Sequence, residues 1–149
     1  MYLPMKAAKI INSLIFAISL GLMSLSSQAE IKKELGEWEV HYIALTTTFL
    51  SPEIARANNI VRSGRNALIN ISVLDKRTKV AQDIAITGTA RNLLGTSKEL
   101  TFKKVKEGKA IYYLASVAFT DKEVLRFDID IKQGKVSQNL KFQQTMYVE

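Results

Sequence analysis

The chain has 149 residues, with 21 Lys and Arg against 14 Asp and Glu for a formal charge of +7, a single histidine and no cysteine. Without cysteine there is no disulfide scaffold, no Cys-His nucleophile and no thiolate metal site, and one histidine would leave a zinc site to carboxylates. Stability has to come from an ordinary apolar core.

The first 29 residues read as an address. Lys6 and Lys9 make a basic start, Ile10 to Leu25 is an apolar run broken by Asn12, Ser13, Ser19, Gly21 and Ser24, and Ser27-Gln28-Ala29 offers small residues where a signal peptidase reads. The run spans about 16 positions, short of the roughly 20 that a transmembrane helix needs. No cysteine follows it to carry a lipid. The expected organisation is a secretory signal at 1–29, cleaved between Ala29 and Glu30, and one soluble periplasmic domain at 30–149 with no stable membrane insertion.

Loss of that segment removes two lysines and no acid, so the charge falls from +7 to +5. The remaining bases are interspersed with acids, and Lys76-Arg77 with Lys79 and Lys103-Lys104 with Lys106 read as turns or an exposed strand face. Nucleic acid is therefore not an expected partner. Export also removes the protein from ATP and reduced nucleotides, and no cofactor is expected.

Apolar and polar residues alternate through the rest of the chain with the period of a half-buried strand. Trp38, Val40 and Tyr42 against Glu37, Glu39 and His41 mark a first strand. Ser51-Pro52-Glu53 then starts a short helix, with Ser51 as N-cap, Pro52 in the first turn and Glu53 near the positive end of the dipole, and Asn58-Asn59 stops it. Strands follow at Ala67 to Leu74, at Asp83 to Ala90, and through Leu100, Phe102 and Val105. A turn at Lys106-Glu107-Gly108-Lys109 leads into Ala110 to Phe119, apolar enough for a central position. Val124 to Lys132 alternates Leu125, Phe127, Ile129 and Ile131 with Arg126, Asp128 and Asp130, and Gln133-Gly134 turns the chain into a last strand near Asn139 to Val148. The expected fold is all-β, an immunoglobulin-like sandwich of about seven antiparallel strands with one short helix between the first two; a flattened barrel shares the pattern.

Catalytic equipment is sparse. His41 could serve a hydrolase only through a Ser-His-Asp triad, which no nucleophile elbow or oxyanion loop supports, and its place on the polar strand face suits an exposed side chain. Asp128 and Asp130 share a face with Arg126, as on a solvated strand surface and unlike two carboxylates flanking a glycosidic bond. No metal site and no enzymatic activity are expected. The richest polar segment is the excursion carrying Glu53, Arg56, Arg62, Arg65 and Asn66, where arginines could clamp an anionic metabolite or glycan, or could pair with acids to fasten the loop. Tyr112 and Tyr113 are adjacent on a strand and must face opposite ways, leaving Tyr112 or its neighbour as a stacking surface.

His41-Tyr42, Phe49-Leu50-Ser51-Pro52-Glu53-Ile54-Ala55-Arg56, Asn66 to Leu74, Ile111-Tyr112-Tyr113, and Phe142-Gln143-Gln144-Thr145 with Tyr147-Val148 resemble the domain-of-unknown-function family 4426, small exported proteobacterial proteins. Ser51 and Met146 depart mildly from its pattern. The resemblance implies a periplasmic, all-β, single-domain product and brings no catalytic residues. Its recurring polar positions here are Glu53, Arg56, Asn66, Asn70 and Gln144. The expected role is binding of a protein or peptide partner in the cell envelope, with strand addition at an exposed sheet edge as one route.

Overall fold

Alternation organises residues 31–149, those described by the computed structural model of the protein, into nine strands. The predicted signal and its cleavage site lie outside the described residues. The strands are β1 (Ile31–Leu35), β2 (Trp38–Thr46), β3 (Asn66–Asp75), β4 (Ala85–Arg91), β5 (Ser97–Leu100), β6 (Lys103–Glu107), β7 (Ala110–Ala118), β8 (Glu123–Gln133) and β9 (Val136–Met146). They form two antiparallel sheets ordered β1-β2-β3-β7-β6 and β5-β4-β8-β9. With β1 set aside, these are the A-B-E-D and C′-C-F-G layers of an immunoglobulin-like sandwich.

Nine strands replace the expected seven for two physical reasons. β1, Ile-Lys-Lys-Glu-Leu, is exposed along four of its five residues and has no alternation to read. The stretch Leu100-Phe102-Val105 is two strands in different sheets, because the chain crosses the sandwich at Thr101-Phe102. Two of the hairpin turns were expected, and Gly108 and Gly134 supply φ of +60° and +59° at the first turn position.

The core lies between the sheets. Val40, Ile69, Ile71 and Val73 from the first sheet meet Phe127, Ile129, Ile131 and Leu140 from the second, all essentially inaccessible. Phe142 bridges the layers, its ring centroid 4.6 Å from both Phe127 and Tyr42. The phase of β9 is as expected, with Leu140 and Met146 inward, although the strand runs from Val136 to Met146.

The helix α1 (Pro52–Ala57) follows a single 3-10 turn at Thr47–Phe49. Ser51 Oγ accepts from Ile54 N at 3.3 Å, and Asn58 donates its side-chain amide to Ile54 O at 2.9 Å before Asn59 turns away at φ +55°. Its role was not evident beforehand. Leu50 and Ala55, with Ile54 and Ile60 beside them, cover Ile43, Leu45, Leu68 and Leu114 on the outer face of the first sheet. β2 is therefore buried on both faces beyond Tyr42, where strict alternation ends.

Candidate functional site

The arginines of the excursion serve different ends. Arg56 Nη2 lies 4.0 Å from Glu53 Oε1, and both side chains are about three-quarters exposed. Arg62, also exposed, instead folds back onto the loop, donating from Nε to Leu50 O at 2.7 Å and from Nη2 to Thr48 O at 3.1 Å. Its guanidinium ties the loop to one carbonyl inside the 3-10 turn and one just after it. Arg65 is exposed, and its carbonyl accepts from Phe119 N at 2.9 Å. Asn66 opens β3 opposite Ala118.

Tyr112, like Ile54 and Ile60 of the excursion, packs against the outer cluster. Tyr113 faces the core, where its hydroxyl accepts from Ile84 N at 2.8 Å and donates to Gln82 O at 3.3 Å, and burial raises its pKa. Gln144 belongs to the other sheet, half-buried opposite Leu125. The fold thus brings Tyr112 to the loop and leaves Gln144 apart from it.

His41 is not the exposed residue its strand phase implied. Its Nε2 lies 2.7 Å from Glu39 Oε1, and the ring is only 22% exposed. Glu39 is buried and also meets Lys79 Nζ at 2.5 Å and Lys32 Nζ at 3.6 Å. Hydrogen bonds from Lys79 first and His41 second hold its carboxyl down at about 2. Among the described residues no three His, Cys, Asp or Glu side chains gather to hold a metal ion.

A second polar surface forms on the outer face of the second sheet, and sequence reasoning missed half of it. Register lines up Ser97, Arg91, Arg126 and Gln143 in one row and Glu99, Thr89, Asp128 and Lys141 in the next. Arg126 Nε donates to Gln143 Oε1 at 3.2 Å, Lys141 Nζ lies 3.7 Å from Asp128, and Asn139 Nδ2 reaches both Asp128 Oδ1 at 2.6 Å and Asp130 Oδ1 at 3.0 Å. Two adjoining shallow grooves of about 470 and 440 Å³ run across these rows. Extending the outward phase of Thr87 and Thr89 by one step reaches Arg91. That it stands opposite Arg126 follows only from the register.

The sheet edges also differ. β5 has four residues, β6 carries Lys103, Lys104 and Lys106, and β1 carries Lys32 and Lys33. β9 is an edge strand of 11 residues in unbroken register with β8.

Topology and surfaces together define an immunoglobulin-like β-sandwich with one helix-covered outer face and one open, charged outer face. The family described as Domain of unknown function (DUF4426) matches residues 32–149, and the chain belongs to that family. A crystal structure of a DUF4426 family protein from Pseudomonas aeruginosa is similar at 32% identity, with a TM-score of 0.72 over 80% of this chain and 96% of that one. FetP of uropathogenic Escherichia coli shares the fold at 11% identity with a TM-score of 0.54, over 80% of this chain and 95% of that one. This holds for a copper-bound variant and for the protein as isolated after expression in the periplasm. No curated protein matches the chain. Among the described residues no helix is long and apolar enough to cross a membrane.

Proposed function

We propose that the protein is an exported, periplasmic, non-enzymatic binding protein that receives an extended segment of a partner protein or peptide along the outer edge of β9. The carrying observation is the contrast between its edges. Natural sheets blunt edge strands by shortness, lysines, proline or bulges, and β9 spreads a single lysine, Lys141, over 11 residues with neither proline nor a break in its register. Such an edge offers main-chain groups for strand addition, while side chains of alternate residues set specificity. The basic and apolar start of the sequence supports export, and the family resemblance agrees with it.

The copper of the FetP structure is not part of this reading. The best-placed donors here, Glu39 and His41, share their surroundings with the ammonium groups of Lys79 and Lys32, which repel a cation.

A photo-crosslinking residue placed at Lys141 or Gln143, with Lys103 on β6 as control, tests the reading in cells fractionated for periplasm. Discrete adducts from the β9 positions, absent from the β6 control and present in the periplasmic fraction, are expected. Adducts of equal yield from both edges, or none from β9, would defeat it.

A further inference from the structure

We propose that the outer face of the second sheet binds an anionic saccharide, a sugar bearing a phosphate or carboxylate, with Arg91 and Arg126 on the acid group and Asp128 and Asp130 on the hydroxyls. Arg91 and Arg126 are direct cross-strand partners. Like charges so placed repel and destabilise the pair. Neither makes an ion pair among the described residues, and the Arg91 guanidinium has no hydrogen-bond acceptor there either. Gly95, at φ +88°, lies beneath the Arg91 guanidinium, where a Cβ would come within 3.3 Å of Nη2. Two forked donor sets bordering one groove are suited to an oxyanion, which removes their repulsion and accepts paired hydrogen bonds.

The neighbouring groove has the opposite chemistry, with Glu99, Asp128 and Asp130 along it, and Asp128, paired with Lys141, stands on the border that the two grooves share. Two and four residues further along β8, about 7 and 13 Å away, Asp128 and Asp130 present carboxylates that can only accept. Asn139 bridges one oxygen of each, and Lys141 already supplies a positive charge to Asp128. The remaining acceptor capacity calls for neutral donors more than for a second cation. A ligand spanning both grooves therefore carries an acid at one end and hydroxyls at the other. The combined space suits one or two sugar rings, since small-molecule sites run from roughly 300 to 1,000 Å³.

Amide chemical shifts of the folded domain, followed during titration with glucuronic acid, glucose 6-phosphate, glucose and inorganic phosphate, test the proposal. The two acidic sugars should give saturable shifts at Arg91, Arg126 and Gln143, with glucose and phosphate each binding at least tenfold more weakly. Arg91→Gln should weaken the acidic sugars at least tenfold, while Arg56→Gln leaves them unchanged. Absence of saturation with both acidic sugars, full affinity in Arg91→Gln, or phosphate binding as tightly as glucose 6-phosphate would each overturn it. Adduct formation at the β9 edge in Arg91→Gln reports separately on strand addition.

Discussion

Lys79 Nζ meets Glu39 Oε2 across 40 positions of the chain and fastens the turn after β3 to the outer face of β2. The turn is itself prepared for this. Asp75 Oδ1 accepts from Arg77 N and Thr78 N at 2.9 and 2.8 Å, and Lys79 takes φ +59°.

The Glu39 contact predicts how stability responds to acid. Its carboxyl is held at about 2, below the ordinary 4.5, chiefly by Lys79. A group whose folded pKa is depressed contributes stability that is complete above the unfolded value and declines as pH falls toward the folded one. Urea unfolding of the wild type should therefore lose stability between about pH 5 and pH 2, with Glu39 among the carboxylates responsible. Glu39→Gln should be less stable at neutral pH and show a shallower decline across that window. An unchanged pH slope in the variant would contradict the assignment.

Two arginines only six positions apart should behave differently. Arg62→Ala removes the donors to Leu50 O and Thr48 O and should destabilise the protein by about 1 kcal/mol. Arg56→Ala loses a 4.0 Å pair on an open surface and should fall within about 0.5 kcal/mol of wild type. Chemical denaturation of both variants under one condition makes the comparison.

Asn70 sits on the outer face of β3 between Ile43 and Leu114, 8% exposed, and its Oδ1 has no partner among the described residues. A buried acceptor left unmatched costs about 1–3 kcal/mol, so Asn70→Leu, of similar shape, should raise stability by about 1 kcal/mol or more. Denaturant midpoints measured at equal m-values decide it.

Gly88 in β4 lies against β8, where an added Cβ would sit 2.9 Å from Ile129 Cγ1 and 3.0 Å from Asp128 O. Neither neighbour is the loose end of a flexible chain. Gly88→Ala should cost about 1–3 kcal/mol, the usual range for overpacking, despite the better strand propensity of alanine. A thermal midpoint equal to wild type would show that the sheets yield more readily than the spacing implies.

Much of this fold was legible because a single buried face imposes period-2 alternation. β8 shows it from Leu125 to Ile131, and β9 from Leu140 to Met146. Legibility failed where that condition failed. β1 buries almost nothing, β2 beyond Tyr42 is covered on both sides by the sandwich and the excursion, and Leu100 and Val105 belong to different layers despite continuous apolar spacing. The helix ends were readable because capping is local chemistry between Ser51 and Ile54 and between Asn58 and Ile54. The candidate sites were less so. Composition marked the arginines of the excursion, but whether a guanidinium faces solvent or a carbonyl depends on three-dimensional placement, and Arg62 is the instance. Arg91 and Arg126 meet through a register between strands more than thirty residues apart, and a linear sequence carries no direct mark of it.

The crossing at Thr101-Phe102 also governs the order in which the protein can assemble. The first sheet takes β1, β2 and β3, then waits for β6 and β7, while β4, paired with β5, gains its second neighbour only when β8 arrives. A chain emerging from its N-terminus offers hairpins but no closed layer pair until residues beyond Glu123 are free. Pairings this remote form slowly, because loop closure precedes the contacts that reward it. The polypeptide thus stays unlocked for most of its length, and its two layers close on each other only once β8 is free to pair.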